Sequence, residues 1–576
     1  MKKIRKLEGI TGYLDRKVLA LDIETSGFNP RKDKIIGLSA SDGITSYYWQ
    51  WKDLVKSGDN KMLFKLLLNP IVIKIFHNAK FEFHFFLENG LKSYPVNYFD
   101  TMIASHICDE NKFSHSLKNL APIIDPNAKD YDKPLDDYKK AHNITSYADI
   151  PLRIIKPYAS KDAFYTYGLY EFFIDKINKQ FKTLFYDIEM PLIPVIVEME
   201  KRGVPIDKKF FKKQGIKLLG EERLLEKLLH KTLGKINLLS NPEVGQALVK
   251  LGVDLPKTDK GAIKIDRYTL DSIDHPICKE ITRYRQISHI RTTYCEGIPE
   301  KAEEGILYCD FRQMGARTGR FSAANPNLQN IPRDLEDIRK GFLVRKGYTN
   351  YYLDYSQIEM ILLAHYTQDD YMVKTIKEGG DLHTATAIRF HNTKEPTKEQ
   401  RRIAKHLNFA VVYGMGIKGL TRVFKTTPDQ ARKFLTHYYE LSPKIKEFRY
   451  EATSRAKVRG FVMTLFGRYR RLHPEEAYKA VNAIIQGSAA DIIKIAMIRI
   501  NNYLKEYKLD ANLLISVHDE LHLEISNQTI NQQKDHSRIL EDIVKLMIDF
   551  KEVSLPLSVS IGRSKTNWKN KEAIDL

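Results

Sequence analysis

The chain has 576 residues, enough for about two to four domains, and its 92 Lys and Arg against 72 Asp and Glu give a formal charge of +20. The positive excess favours a polyanionic partner such as nucleic acid, although a merely soluble basic protein would show it too. The four cysteines form no CxxC pair, which argues against a disulfide framework or a zinc site and suits a reducing cytosol. We expect neither a secretory signal nor a membrane span.

The first elements are three β-rich runs joined by short turns, "KVLALDIETSGFNP", "KIIGLSAS" and "ITSYYWQW", which predict a three-stranded antiparallel start. Asp22 and Glu24 are two residues apart in the first strand, so their side chains point to the same face. Two acids on one face repel each other unless a cation lies between them. A solvated strand face would carry the same pattern, and the strand alone leaves both interpretations open.

The next segments add two more acids. In "IVIKIFHNAKFEFHFFLENG" Asn78 and Glu82 lie one helical turn apart, and Glu82 stands among phenylalanines. It is either a residue on the exposed face of an amphipathic helix or a metal ligand held by an aromatic wall. The helix predicted in "PYASKDAFYTYGLYEFF" places Tyr158 and Asp162 on one face, which is also an ordinary helix contact.

Residues 185 to 305 are helix-rich, Lys-rich and poor in candidate catalytic residues. Beyond them, "YYLDYSQIEMILLAHYTQD" predicts a strand that ends near Asp354 and then a helix; locally, a helix N-cap is the commoner role for such an Asp. "NLLISVHDELHLEIS" predicts a β-hairpin with His518, Asp519 and Glu520 at its turn. Acids at that turn would form a metal site if they faced Asp354.

Between these segments, "EQRRIAKHLNFAVVYGMG" places Arg401, Lys405, Phe409 and Tyr413 at a spacing of four. On a helix these side chains form one broad stripe. Two cations followed by two aromatic rings suit a nucleotide, with cations for the triphosphate and rings for the base. An ordinary amphipathic helix remains the alternative.

The first third of the chain resembles the DEDD 3′–5′ exonucleases in their tyrosine form. "LDIET", "HNAKFE" and "YASKD" resemble the three motifs of that family, and "FDTMIASHICDEN" and "HSLKNLA" also match it. The resemblance implies an RNase H-like domain with two divalent metals held by Asp22, Glu24, Glu82 and Asp162, with Tyr158 orienting the attacking water. It includes Asn78 in the second motif. The family carries Asp where this chain has Glu82.

The last half resembles the family-A DNA polymerases, the bacterial DNA polymerase I type. The three segments that contain Asp354, Arg401 to Tyr413 and Asp519 resemble motifs A, B and C. Further segments match in order: "ARTGRFSAANPNLQNIP", "GGDLHTATA", "TLFGR", "VNAIIQGSAADIIK" and "VSLPLSVSIGRSKTNW". The resemblance runs from about residue 17 to about residue 568.

This resemblance implies roles for individual side chains. Asp354 and Asp519, with the backbone carbonyl of Tyr355, would hold two Mg²⁺ ions, for which Mn²⁺ can substitute, and Glu520 would be an accessory acid. Nucleotide contacts are implied for Lys405, Arg401, His383, Phe409, Tyr413, Gln357 and Glu359, the last as the steric gate against a 2′-OH. Contacts to the primer terminus and minor groove are implied for Arg320, Asn482, Gln486 and His518.

The implied fold class is α/β, or α+β multidomain: an exonuclease domain (1–185), a helical thumb that grips duplex (186–305), and palm and fingers (306–576, fingers about 366–475). Primer-template DNA and dNTPs are the expected partners, in the cytoplasm. The exonuclease motifs begin so near the N-terminus that we expect no 5′-nuclease domain, an organisation that resembles phage replicative enzymes. One alternative is a polymerase whose exonuclease is weakened by Glu82. Others are an exonuclease with an inactive, DNA-holding polymerase domain, a single-subunit RNA polymerase and a non-enzymatic nucleic-acid-binding protein.

Overall fold

The structure is a computed structural model that describes residues 16–258, 261–331, 338–528 and 535–576. The N-terminal unit is built on a five-stranded sheet in the order β3-β2-β1-β4-β5. Its strands are β1 (Val18–Thr25), β2 (Ile35–Ser41), β3 (Ser46–Gln50), β4 (Ile73–Phe76) and β5 (Tyr98–Asp100). The antiparallel pairing of β1 with β2 and of β2 with β3 confirms the predicted three-stranded start. β4 and β5 add to β1 as parallel strands.

Among the residues from 16 onwards, this unit has seven helices: α1 (Trp51–Ser57), α2 (Asp59–Leu67), α3 (Ala79–Glu88), α4 (Thr101–Cys108), α5 (Leu117–Leu120), α6 (Lys133–His142) and α7 (Leu152–Gln180). Short 3₁₀ turns cover Ala121–Ile123, Pro126–Asp130 and Tyr147–Asp149. The long helix α7 packs across β1, β2 and β3 and brings Asp162 next to Asp22 and Glu24 of β1. Acids on β1 and α7 therefore meet at one side of the sheet.

A helical region follows, with short strands at its borders. Its elements are α8 (Met190–Arg202), β6 (Val204–Pro205), α9 (Lys208–Leu233), α10 (Asn241–Lys250), α11 (Arg267–Ser272), α12 (Pro276–His289), α13 (Gly297–Lys301), β7 (Ile306–Leu307), β8 (Asp310–Arg312) and β9 (Ser322–Ala324). Two π-helical stretches, Leu184–Glu189 and Ile290–Glu296, run directly into α8 and α13. The outer part of this region, from α9 to α12, has a small hydrophobic core of its own.

The C-terminal half is organised around a second, fully antiparallel sheet in the order β13-β14-β10-β15-β16. Its strands are β10 (Tyr348–Tyr355), β13 (Ala511–Val517), β14 (Glu520–Ser526), β15 (Val559–Ser564) and β16 (Glu572–Ile574). β10 lies in the middle, and most of its residues are buried. The end of β10 and the β13–β14 turn therefore lie side by side.

Helices α14 to α20 form the block that faces this sheet. They are α14 (Ile358–Thr367), α15 (Asp370–Lys377), α16 (Leu382–His391), α17 (Lys398–Val412), α18 (Ile417–Phe424), α19 (Pro428–Leu441) and α20 (Pro443–Arg459). The remaining elements are β11 (Phe461–Met463), β12 (Tyr469–Arg471), α21 (Ala480–Glu506) and α22 (His536–Ile548), with 3₁₀ turns at Leu328–Asn330, Ile338–Gly341 and Pro474–Lys479. One large core joins the sheet and these helices.

The segment Pro474–Glu506, which includes α21, is long and apolar enough by length and composition to cross a membrane. It is the one such segment in the part of the chain that the structure describes, and 83% of its most apolar window is buried inside the protein. That burial is typical of the central helix of a core. All four cysteines are buried and free.

Candidate active sites

Three acids of the N-terminal unit converge where α7 crosses β1. One carboxylate oxygen from each of Asp22, Glu24 and Asp162 lies within 4.8 Å of the other two. Glu24 and Asp162 are buried and Asp22 is partly buried. The solvated-face interpretation of the D-x-E pair is therefore wrong, because the face that carries Asp22 and Glu24 is covered by α7.

Burial and mutual repulsion make this cluster hard to ionise without a cation. Burial, then the charge of Asp162, raises the pKa of Asp22 well above its usual range, and the pKa of Glu24 is raised in the same way by burial and by its acidic neighbours. Burial also raises the pKa of Asp162 to about 7, although hydrogen bonds from Tyr131 and Tyr158 oppose the shift. Such a cluster binds either protons or metal ions at neutral pH.

The cluster fits divalent cations. Within the described ranges, the buried oxygens Glu24 Oε1 and Glu82 Oε2 have no hydrogen-bond partner. A buried carboxylate oxygen without a hydrogen-bond partner destabilises the fold unless a cation binds to it. Carboxylate oxygens are also the ligands that Mg²⁺ and Mn²⁺ prefer.

Glu82 lies in the first turn of α3, which begins after Asn78 in a left-handed conformation (φ 81°). It is 2% exposed, so the exposed-face interpretation is wrong. It stands outside the close cluster of three acids, yet its charge contributes to the raised pKa of Glu24, and burial and Asp22 raise its own pKa. Phe83, the next residue on the same helix, is fully buried.

A tyrosine that no sequence motif marks completes this site. The Tyr131 hydroxyl donates a hydrogen bond to Asp162 Oδ1 (2.6 Å). The ring of Tyr131 stacks on that of Tyr158, with centroids 6.0 Å apart and an interplanar angle of 10°. Tyr131 lies 31 residues before Asp162 in a segment without a recognisable motif, so no local signal identifies it.

The second site is a cleft of about 490 Å³ between the C-terminal sheet and the helix block. Most residues implied by the motif resemblance line it: Arg320, Asp354, Tyr355, Gln357, Glu359, His383, Arg401, Lys405, Phe409, Tyr413, His518 and Asp519. Asp381, Ile358 and Met360 complete the lining. Three further residues implied by the resemblance, Glu520, Asn482 and Gln486, lie outside this lining.

Two aspartates meet at the floor of this cleft. Asp354 stands at the end of the central strand β10, and Asp519 follows His518, which has φ 53°, in the β13–β14 turn. The backbone N–H of Tyr355 donates to the carbonyl of Asp519 (3.1 Å), which fixes the strand end against the turn. The N-cap of the following helix is Gln357, so the N-cap interpretation of Asp354 is wrong. Two carboxylates and nearby backbone carbonyls are a donor set that fits a hard divalent cation.

Glu520 is directed elsewhere. It is the first residue of β14, and its carboxylate accepts from His522 Nε2 (2.7 Å) and pairs with Lys571. Burial opposes ionisation, but His522 and Lys571 hold the pKa of Glu520 at about 2. The structure thus gives Glu520 an ion pair near the C-terminal strand β16, where the resemblance implied an accessory acid in the cleft.

Helix α17 presents the stripe of cations and rings to the cleft. A capping box between Thr397 and Gln400 fixes its start. Lys405 Nζ lies 5.8 Å from the centre of the Phe409 ring, and the Phe409 and Tyr413 rings stack with centroids 5.7 Å apart. Because the stripe faces an open cleft, the ordinary amphipathic interpretation does not describe it.

The cationic end of the stripe has an acidic partner. Arg401 Nε lies 2.8 Å from Asp381 Oδ2. Burial raises the pKa of Asp381, but hydrogen bonds from Arg401 and Thr384 outweigh burial and lower this pKa to about 2. Burial lowers the pKa of His383 to about 4, so this imidazole is neutral at pH 7. Asn408 Nδ2 donates to His383 Nδ1 (3.0 Å), which leaves Nε2–H as the donor on the ring. Asp381 lies in the "GGDLHTATA" segment, but the resemblance implied no role for it.

Glu359 is clamped on both sides. One carboxylate oxygen pairs with Arg320 Nη2, and the other accepts from the Tyr413 hydroxyl (3.1 Å). Burial raises the pKa of Glu359, while Arg320 opposes the shift. Gln486 on α21 hydrogen-bonds Tyr413, the second partner of Glu359. Asn482, one turn earlier on α21, has a buried Oδ1 with no partner among the described residues.

The structure thus contains a buried acid cluster beside a mixed sheet, and a cleft in which two aspartates face a cationic and aromatic helix. Residues 208–570 match the family model described as DNA polymerase family A, and residues 4–178 match the model described as 3′-5′ exonuclease. The chain belongs to DNA polymerase family A. The fold class expected from the sequence is confirmed.

Similar proteins agree with this assignment. DNA polymerase I of Borreliella burgdorferi is 33% identical over 96% of this chain and 62% of its own length, and that of Chloroflexus aurantiacus is 30% identical over 95% and 61%. The chain thus spans about three fifths of the length of these curated relatives. The solved POL domain of Pol1 from M. smegmatis, in complex with DNA primer-template and dNTP, has a TM-score of 0.84 at 25% identity and covers 98% of this chain and 99% of that one.

Proposed function

We propose that this chain is a DNA-directed DNA polymerase with 3′–5′ proofreading that extends primers on template DNA with dNTPs during replication in the cytoplasm. The observation that carries the proposal is the cleft in which Asp354 and Asp519 face the stripe of α17. Replication of a phage genome stays a prediction, since the similar DNA polymerase I enzymes are bacterial.

In the polymerase cleft the helix α17 binds the incoming nucleotide. Arg401 and Lys405 neutralise the triphosphate, His383 donates Nε2–H to it, and the Phe409 and Tyr413 rings pack on sugar and base. Mg²⁺ ions held by Asp354, Asp519 and the Tyr355 carbonyl would activate the primer 3′-OH and stabilise the leaving pyrophosphate. Arg401 must exchange part of its contact with Asp381 for phosphate, so nucleotide binding and movement of α17 are linked.

In the exonuclease site the residues act on a 3′-terminal phosphodiester. Asp22, Glu24, Glu82 and Asp162 would hold divalent cations, whose chemistry there would be to lower the pKa of a water and to neutralise charge on the leaving 3′ oxygen. Tyr158 orients the attacking water, one helical turn from Asp162. The aromatic packing around α3 holds Glu82 near Asp22 and excludes bulk water from that side.

We assign residues 1–185 to the exonuclease, 186–305 to the thumb and 306–576 to palm and fingers. The small separate core of α9 to α12 supports the thumb as a distinct body. Lysines along α9 suit contacts to duplex phosphates, which would be insensitive to sequence and sensitive to salt.

One assay tests both activities. A 5′-labelled primer annealed to a longer template is incubated with Mg²⁺, with and without dNTPs. We expect extension with dNTPs and shortening at the 3′ end without them. Absence of extension would overturn the polymerase assignment, and absence of shortening would overturn the exonuclease assignment.

Substitution of Glu82 tests whether the longer side chain still serves the exonuclease site. We expect the parent to degrade 3′ ends and Glu82→Asp to change that rate by less than about tenfold, because a carboxylate remains near Asp22. Glu82→Gln should lower it by roughly 100-fold, since a neutral amide does not replace a charged metal ligand. Gel-resolved degradation rates give the comparison. A silent parent with activity recovered in Glu82→Asp would contradict the expectation.

Glu359→Ala is expected to raise ribonucleotide incorporation relative to deoxyribonucleotide incorporation by roughly 100-fold. The clamped carboxylate fills the space that a 2′-OH would need, and Ala opens it. The ratio of kcat/KM for rNTP and dNTP is the measurement. Glu359→Gln keeps the volume of the side chain without its charge, so this variant should still exclude most ribonucleotides. An unchanged ratio in Glu359→Ala would show that another group forms the gate.

A further inference from the structure

The segment between α5 and α7 covers the exonuclease acids and contacts both elements that carry them. Near its end, Ser146 Oγ donates to the carbonyl of Ser26 (2.8 Å), two residues after Glu24 in sequence. Its helix α6 packs on α7 through Leu135 in a cluster that includes Tyr158. The segment is therefore part of the wall of the site.

Tyr131 is the residue of this segment that reaches an acid directly. It is 8% exposed, its hydroxyl lies 2.6 Å from Asp162 Oδ1, and its ring contacts both Tyr158 and Tyr165, the latter with centroids 5.0 Å apart. The next residue, Asp132, forms an ion pair with Lys118 (2.6 Å). Tyr131 is thus held in place by neighbouring rings and by its chain neighbour.

We propose that Tyr131 is a positioning residue of the exonuclease site, whose hydroxyl fixes Asp162 for binding a divalent cation. This inference rests on the proposed exonuclease function. Tyr158 also hydrogen-bonds Asp162. Tyr131 gives the carboxylate a second donor, at 2.6 Å, from a different segment of the chain. A neutral donor orients the carboxylate without repelling a metal ion.

The test measures metal binding apart from catalysis. Mn²⁺ is titrated into the full chain by electron paramagnetic resonance, in an Asp519→Ala background that removes an acid of the polymerase site. We expect Tyr131→Phe to weaken Mn²⁺ binding by about tenfold, the effect usual for a residue that orients a metal ligand. Tyr138→Phe is the matched control, because it removes a hydroxyl from the same segment where the ring stacks on His142. It should bind Mn²⁺ as the parent does.

In the chain with Asp519 intact, Tyr131→Phe should lower the kcat for exonucleolytic degradation with little change in KM, and primer extension should be unchanged. Parental Mn²⁺ affinity in Tyr131→Phe would overturn the proposal. So would an equal fall in primer extension, since that indicates general damage to the fold. If the parent binds Mn²⁺ but leaves the primer end intact, the exonuclease function fails while weakened binding in Tyr131→Phe still supports the positioning role.

Discussion

Asp519→Ala is expected to lower primer extension by roughly three orders of magnitude or more. The substitution removes one of the two carboxylates that would hold the catalytic Mg²⁺ ions. The β13–β14 turn holds Asp519 against the end of β10 through the bond from Tyr355 N–H to its carbonyl. That backbone contact survives the substitution. Only the side chain is lost, so the geometry of the strands should persist.

Single-turnover extension of a labelled primer with saturating dNTP measures the effect. DNA binding, followed by fluorescence anisotropy, and exonucleolytic degradation should stay near the parental values, since neither uses the Asp519 carboxylate. Asp510→Ala is a matched control beside the same hairpin, where the Asp510 carboxylate accepts from the Tyr348 hydroxyl (2.9 Å) outside the cleft. Extension retained within a few-fold in Asp519→Ala would refute the assignment of the polymerase site.

Sequence patterns predicted those parts of the site that local periodicity controls. The period of two in β1 places Asp22 and Glu24 on one face, and the period of α17 produces the stripe from Arg401 onwards. The hairpin around Asp519 was visible from two alternating runs. In each case the candidate site residues lie within one strand, helix or hairpin. The geometry of that element alone therefore predicts how their side chains are arranged.

Contacts between distant segments were not predictable in this way. Lys571, which pairs with Glu520 outside the cleft, lies 51 residues further along the chain. Tyr131, which donates to Asp162, likewise comes from a different segment. Such pairings depend on how the chain folds back, which no periodicity indicates. Glu82 shows the same limit: its local pattern fits an exposed or a buried face, and the packing of α3 decides for burial.

The helix that carries Glu82 also forms ion pairs with α8 and β8, outside the N-terminal unit. Lys80 Nζ, on α3, lies 2.7 Å from Glu200 Oε1 and 2.6 Å from Asp310 Oδ1, on α8 and β8. His84, one turn later, lies 2.7 Å from Glu200 Oε2. A mostly buried network of this kind adds little net stability but is costly to break. It therefore links the N-terminal unit to α8 and β8.

Asp22→Asn is expected to lower exonucleolytic degradation by roughly three orders of magnitude while stabilising the metal-free protein. Burial and the charge of Asp162 raise the pKa of Asp22, so this carboxyl is harder to ionise in the folded protein than in the unfolded chain. An acid whose pKa is higher in the folded than in the unfolded state makes the fold less stable as the pH rises. Asn has nearly the same shape and no charge to lose, so the substitution removes this loss of stability.

Two measurements on one variant separate this explanation from simple damage. In EDTA at pH 8 the melting temperature of Asp22→Asn should exceed that of the parent, and the difference should shrink at pH 5, where the acids of the parent take up protons. Primer extension should be unaffected. Asp53→Asn, an exposed acid on α1, serves as the control and should change neither property. The contradicting outcome is loss of degradation together with a lower melting temperature at pH 8. That result would show that the Asp22 side chain stabilises the fold, and that it is not a strained metal ligand repelled by neighbouring acids.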